Sequence, residues 1–120
     1  MALKVKRVYE AAAKGDGMRI LVDRLWPRGI AKEKAKVDLW LKAVAPSNAL
    51  RKRFHAKPEK WDAFLEAYFD ELRSEEAAEA AKELRRGIRK GTVTLLYAAR
   101  DEAHNNAVAL KAWLTRRGRT

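Results

Sequence analysis

Thr92 to Ala99 reads Thr-Val-Thr-Leu-Leu-Tyr-Ala-Ala, with apolar residues at odd and even positions alike. A strand of this kind has no face to show to water. It demands cover on both sides, which predicts the centre of a sheet in an α/β fold. Gly91 stops the helix before it.

Two further runs read as strands. Leu3 to Val8 is the first, and Met18 to Leu25 is the second. Gly15-Asp16-Gly17 signals a turn between them. The connector holds roughly eight residues, and a parallel crossover needs about a dozen. If the two strands are neighbours, they are expected to be antiparallel. About 65 residues of mainly helical connection lead from the second strand to the third, so that pair is expected to be parallel.

The intervening sequence is helical in pattern. Lys32 to Ala45 carries both periods, since Val37, Leu39 and Leu41 alternate while Val37, Trp40, Leu41 and Val44 recur at helical spacing. The longer pattern favours a helical turn over Asp38 to Val44. Ser47 is suited to cap a helix from Asn48 to His55. Pro58 suits the first turn of a helix reaching Ser74, with Trp61, Phe64, Leu65, Tyr68 and Leu72 as its apolar stripe. Ser74 caps a helix from Glu75 to Lys90, with acids in its first turn and bases in its last. Asp101 is expected to cap a final helix over Glu102 to Arg117. The expected fold is α/β: one domain over residues 1–120, with a small mixed sheet of about three strands covered by helices on both faces.

Composition narrows the function classes. With no cysteine in 120 residues, there is no disulfide, thiolate nucleophile or cysteine zinc site. A cytoplasmic location is expected, because no signal-peptide core or membrane-length apolar run is present. The only histidines are His55 and His104, and neither has metal-ligand spacing around it. Phosphate-loop, dinucleotide and nucleophile-elbow motifs are absent. The sequence names no cofactor. The net charge of +11 favours an anionic partner.

Function is expected where the strands end. The second strand runs into Asp23, Arg24, Trp26 and Arg28, and the third into Asp101 and His104. In parallel sheets, ligands bind beyond the carboxyl ends of the strands. Asp23 is a candidate acid/base or ligand-orienting group, and His104 a candidate proton shuttle. Arg24, Arg28 and Lys42 are candidate anion ligands, beside Asp101. Trp26 and Trp40 suit the wall of such a pocket or the core. Asp23, Arg24 and Arg28 also suit salt bridges, and Asp101 and His104 also suit a capped turn.

The motifs match a known family. Arg7-Val-Tyr9, Arg19-Ile-Leu-Val-Asp-Arg-Leu-Trp-Pro-Arg-Gly29, Trp40-Leu-Lys42, Ala45-Pro-Ser47 and Val93-Thr-Leu-Leu-Tyr-Ala-Ala99, followed by Asp101 and His104-Asn105, carry the match. The chain resembles the YeaO-like branch of domain of unknown function 488. That resemblance implies a small cytoplasmic α/β domain and brings no established reaction. Some branches of the wider family are described with a cysteine near the N-terminus, which this chain lacks.

Two readings follow. One is a site for a phosphate- or carboxylate-bearing small molecule, with or without catalysis. The other is a nucleic-acid-binding module that meets phosphates through Arg51, Lys52, Arg53, Arg85, Arg86, Arg89 and Lys90. The first is preferred, since a purely electrostatic binder has no need of Asp23 or Asp101. A partner-binding protein with no ligand is a third, weaker reading.

Overall fold

The computed structural model describes residues 2–57 and 59–116. The proline expected to open a helix at position 58 lies outside them, as does the Gly/Arg end beyond residue 116. Among the described residues, four strands form one sheet: β1 (Leu3–Arg7), β2 (Met18–Leu21), β3 (Leu39–Trp40) and β4 (Val93–Tyr97). Their order is β1-β4-β2-β3, and every neighbouring pair is parallel.

The α/β class and the central third run stand as expected, and all five residues of β4 are buried. The sheet is wholly parallel, and its extra strand is β3. The antiparallel pairing is corrected, because β1 and β2 never meet: β4 lies between them. Residues 8–17 only have to return to the starting edge of the sheet. In extended form they reach about 30 Å, ample to pass a five-residue strand.

The helical turn expected over Asp38 to Val44 is also corrected. Leu39 and Trp40 pair with Ile20 and Leu21, and only Lys42–Val44 coil, as a 3-10 turn. Here the alternating pattern prevailed, because β2 offered an open edge. The Asp38 carboxylate anchors the pairing by accepting the Arg19 N–H at 2.8 Å.

The two faces of the sheet are covered differently. Val93, Leu95, Tyr97, Ile20 and Val22 point into the larger core, under α2 (Asn48–Ala56), α3 (Trp61–Glu71), α4 (Glu75–Lys90) and α5 (Asn106–Thr115). Ser47 and Ser74 cap α2 and α4 by accepting the N–H groups of Leu50 and Ala77. Tyr68 closes this core by donating its hydroxyl to the Val44 carbonyl. Burial raises the phenol pKa strongly, and the charges of Glu71 and Asp23 add to the rise.

The opposite face lies under the one-turn α1 (Lys32–Ala35) and two connecting segments. Leu21, Leu96, Val8 and Ala35 form a small core there. Beside it sits an ion cluster inside the protein. Arg19 is 4% exposed and Asp16 5%, and Asp16 takes both Lys6 and Arg19 as partners. Arg19 also donates to the carbonyls of Ala35 and Lys36, so one guanidinium closes the end of α1. Burial alone would raise the Asp16 pKa. Hydrogen bonds from the Ala13 N–H, Lys6 and Arg19 outweigh it and hold the carboxyl below the usual carboxylate range. At Gly17 (φ +64°) a Cβ would overlap the Thr92 carbonyl, so only glycine fits.

Candidate functional site

Because all four strands are parallel, their carboxyl ends share one edge, and the segments after β2 and β4 do converge there. Asp23 follows β2 by two residues. Its Oδ2 accepts the Ala98 N–H at 3.0 Å, and its Oδ1 accepts Nδ2 of Asn106 at 2.9 Å. The same Nδ2 also donates to the Val22 carbonyl. Burial pushes the Asp23 carboxyl pKa up, against the pull of those two hydrogen bonds and of the Arg51 charge.

Arg24 turns the other way. Its Nε donates to the Pro46 carbonyl and its Nη2 to the Ala45 carbonyl, each at 3.1 Å. The fork therefore holds the segment that leads into α2. It also lines a cleft of about 580 Å³ with Lys42, Ser47, Glu71, Ser74 and Glu76. Lys42 places Nζ 4.2 Å from the Trp40 ring centroid, a cation–π contact. Glu71 is engaged by Ser47, whose N–H and hydroxyl both donate to its carboxylate.

The tryptophans are structural braces. Trp26 and Trp40 meet edge-on with centroids 5.5 Å apart. Trp26 donates to the Ile30 carbonyl, and Trp40 donates to the Asp23 carbonyl. Arg28 is exposed, and its own carbonyl accepts the Tyr9 hydroxyl.

Asp101 and His104 bond within their own turn. Asp101 Oδ1 accepts the N–H groups of Ala103 and His104, and its Oδ2 lies 3.2 Å from His104 Nδ1. The two backbone bonds hold the Asp101 pKa below its ordinary value. The His104 ring packs against Trp61 at 5.0 Å. The expected Asp101 helix cap is thus corrected. Asp101 satisfies a tight turn of its own, and α5 begins only at Asn106, capped by Asn105 through the Val108 N–H. Ala103 is exposed in that turn. Asn105 outcompetes Asp101 because it is buried and reaches back to the Asp101 carbonyl.

Asn106, Ser47 and Glu71 belong to this edge, and none was a candidate site residue on sequence grounds. Ser47 was marked as a helix cap and in the Ala45-Pro-Ser47 motif, and the signal for Asn106 was the Asn105-Asn106 pair at the start of an apolar helix. The basic residues of the nucleic-acid reading divide. Arg51 bonds Asn48 and faces the Asp23 charge, and Arg85 packs over Trp113. Lys52, Arg53, Arg86, Arg89 and Lys90 are exposed. Among the described residues, no cluster of acids and histidines is placed to hold a metal ion. No helix of the described residues is long and apolar enough to cross a membrane.

Fold and edge together define a small one-sheet parallel α/β domain with a polar cleft beside its strand ends. The chain belongs to the YeaO-like DUF488 family: residues 2–119 match the family model DUF488-N3i, described as the inactive DUF488-N3 subclade. It is 44% identical over 114 residues to the uncharacterized protein YeaO of Escherichia coli (strain K12), covering 95% of this chain and 97% of that one. It is 41% identical over 115 residues to the uncharacterized protein Rv3073c of Mycobacterium tuberculosis (strain ATCC 25618 / H37Rv), covering 96% and 95%. No solved structure matches the chain significantly.

Proposed function

We propose that this domain binds a small anionic ligand, phosphate- or carboxylate-bearing, in the cleft at the carboxyl edge of its sheet, and that it binds without catalysis. One observation carries the reading: Arg24 and Lys42, both anion candidates on sequence grounds, line one cleft of about 580 Å³. That volume suits a small molecule. The lining also carries Glu71, Ser74 and Glu76. Such a lining favours a ligand with hydroxyl or amine donors beside its anionic group.

Binding is favoured over chemistry by two facts. The subclade is described as inactive. Asp23, the acid/base candidate, already accepts hydrogen bonds on both carboxylate oxygens. In this reading Asp23 holds the edge together, His104 and Asp101 stabilise their turn, and Arg28 supplies positive charge outside the cleft. The lack of cysteine fits a reducing cytoplasm. The nucleic-acid alternative is weaker, since Arg51 is engaged by Asn48 and Arg85 by the Trp113 ring.

The test is a calorimetric titration with inorganic phosphate, ribose 5-phosphate, a nucleoside monophosphate and succinate. At least one is expected to bind saturably, and Lys42→Glu, an exposed change, abolishes that binding with the melting temperature intact. No saturable binding, or binding indifferent to Lys42→Glu, overturns the reading.

A further inference from the structure

We propose that the groove between α2 and α3 is a second binding site, specific for a free single-chain amphiphile with a carboxylate head. It is separate from the anion cleft and does not depend on it.

The groove holds about 410 Å³, within the range of small-ligand sites. Its walls are two matching helical stripes. Leu50, Arg53 and Phe54 share one face of α2, with Lys57 at its C-cap, and Ala63, Phe64 and Ala67 share one face of α3, with Lys60 at its N-cap. The two stripes line the same channel. Phe54 and Phe64 touch across it with centroids 4.7 Å apart. Small residues open it: Ala63 and Ala67 stand where larger side chains would close the space.

The charge is one-sided. Every ionisable residue lining the groove is a cation, namely Arg53, Lys57 and Lys60. Glu59, Asp62 and Glu66 are near in sequence but do not line it. All three cations are exposed, and their side chains take no hydrogen bond or ion pair among the described residues.

Position fixes the polarity of the occupant. Lys57 and Lys60 flank the short connection between the helices, with Arg53 one turn back. Leu50 and Ala67 lie seven residues further along each stripe, about 10 Å by helical rise. That is the length of a medium acyl chain. An acidic helix would need positive charge along its whole length, whereas here two of the three cations, Lys57 and Lys60, sit at one end, Arg53 lies midway and the far end is apolar. A carboxylate head at the Lys57–Lys60 end, with its chain over Phe54 and Phe64 toward Leu50 and Ala67, satisfies both.

Isotope-labelled protein titrated with monomeric decanoate, followed by amide chemical shifts, tests this. Saturable shifts confined to α2 and α3 are expected. Decanol is expected to bind at least about tenfold more weakly, and decyltrimethylammonium not at all. The Lys57→Ala, Lys60→Ala double variant loses the preference for decanoate over decanol. Ala63→Phe, at an exposed position, abolishes binding while distant amides keep their shifts. Absent or scattered shifts, equal binding of decanol, or full binding by Ala63→Phe overturns the proposal. So does recognition only of phosphatidylglycerol vesicles, only of an acidic amphipathic helix, or only of a second copy of this chain at that face.

Discussion

Asn106 and Asp23 stand 83 positions apart and share a hydrogen bond of 2.9 Å. That contact joins the end of β2 to the first turn of α5, and it holds together the sheet edge where ligands of parallel α/β proteins bind.

Removing the amide exposes its role. Asn106→Ala takes a donor from Asp23 and another from the Val22 carbonyl. A loss of about 1–3 kcal/mol is expected from unpaired buried acceptors, read by urea denaturation. The Asp23 carboxyl already titrates above its ordinary value of 3.8, because burial disfavours its charge. Folding therefore favours its protonated form. Stability from this group is full below 3.8 and falls as pH rises through the folded value. Asn106→Ala removes a hydrogen bond that lowers the pKa, so carboxyl NMR titration should show a further rise. The stability decline then moves to higher pH and deepens.

Asp16 behaves with the opposite sign. Its folded pKa lies below the ordinary 3.8. Its contribution is present above that value and is lost as pH falls through the folded one. Asp16→Asn leaves Arg19 without its carboxylate inside the protein. The expected cost at neutral pH is about 3–5 kcal/mol, and unfolding curves between neutral and acid pH should flatten on the acid side.

Two glycines separate crowding from backbone strain. Gly17 and Gly29 both have positive φ. At Gly29 a Cβ has open space, while at Gly17 it meets the Thr92 backbone. Gly29→Ala should cost only the left-handed penalty of about 1–2 kcal/mol. Gly17→Ala should cost clearly more, because β4 must shift. Paired thermal melts decide this, and equal losses would contradict the packing at Thr92.

Arg24→Lys tests fork geometry against charge. An ammonium cannot reproduce the two-carbonyl clamp on Ala45 and Pro46. A loss of about 1–2 kcal/mol is expected, seen as faster amide exchange at the start of α2. Unchanged exchange would assign Arg24 to the ligand alone.

Much of the fold was legible. The buried run at β4, the Ser47 and Ser74 caps and the full extent of α4 follow from local chemistry, and all stand in the structure. The pairing of β3 was not legible, because a two-residue strand is decided by the edge it meets rather than by its own pattern. The Asp101 cap failed for a related reason: two capping residues four positions apart competed, and burial of Asn105 decided between them. At the site, the convergence of Asp23 with the segment after β4 was readable from strand direction. The inward use of Arg24 and the Asn106 contact depend on tertiary neighbours that no local pattern records.

The position of β4 has a consequence for how this protein is made. The strand that joins β1 to β2 is the last of the four described strands to be synthesised. While a nascent chain ends before residue 93, the inner edges of both earlier strands wait without a mate, and the helices between have no floor to rest on. Assembly is therefore held until the segment from Val93 onward leaves the ribosome, and a stop after α4 should yield a product for proteolysis rather than a smaller domain.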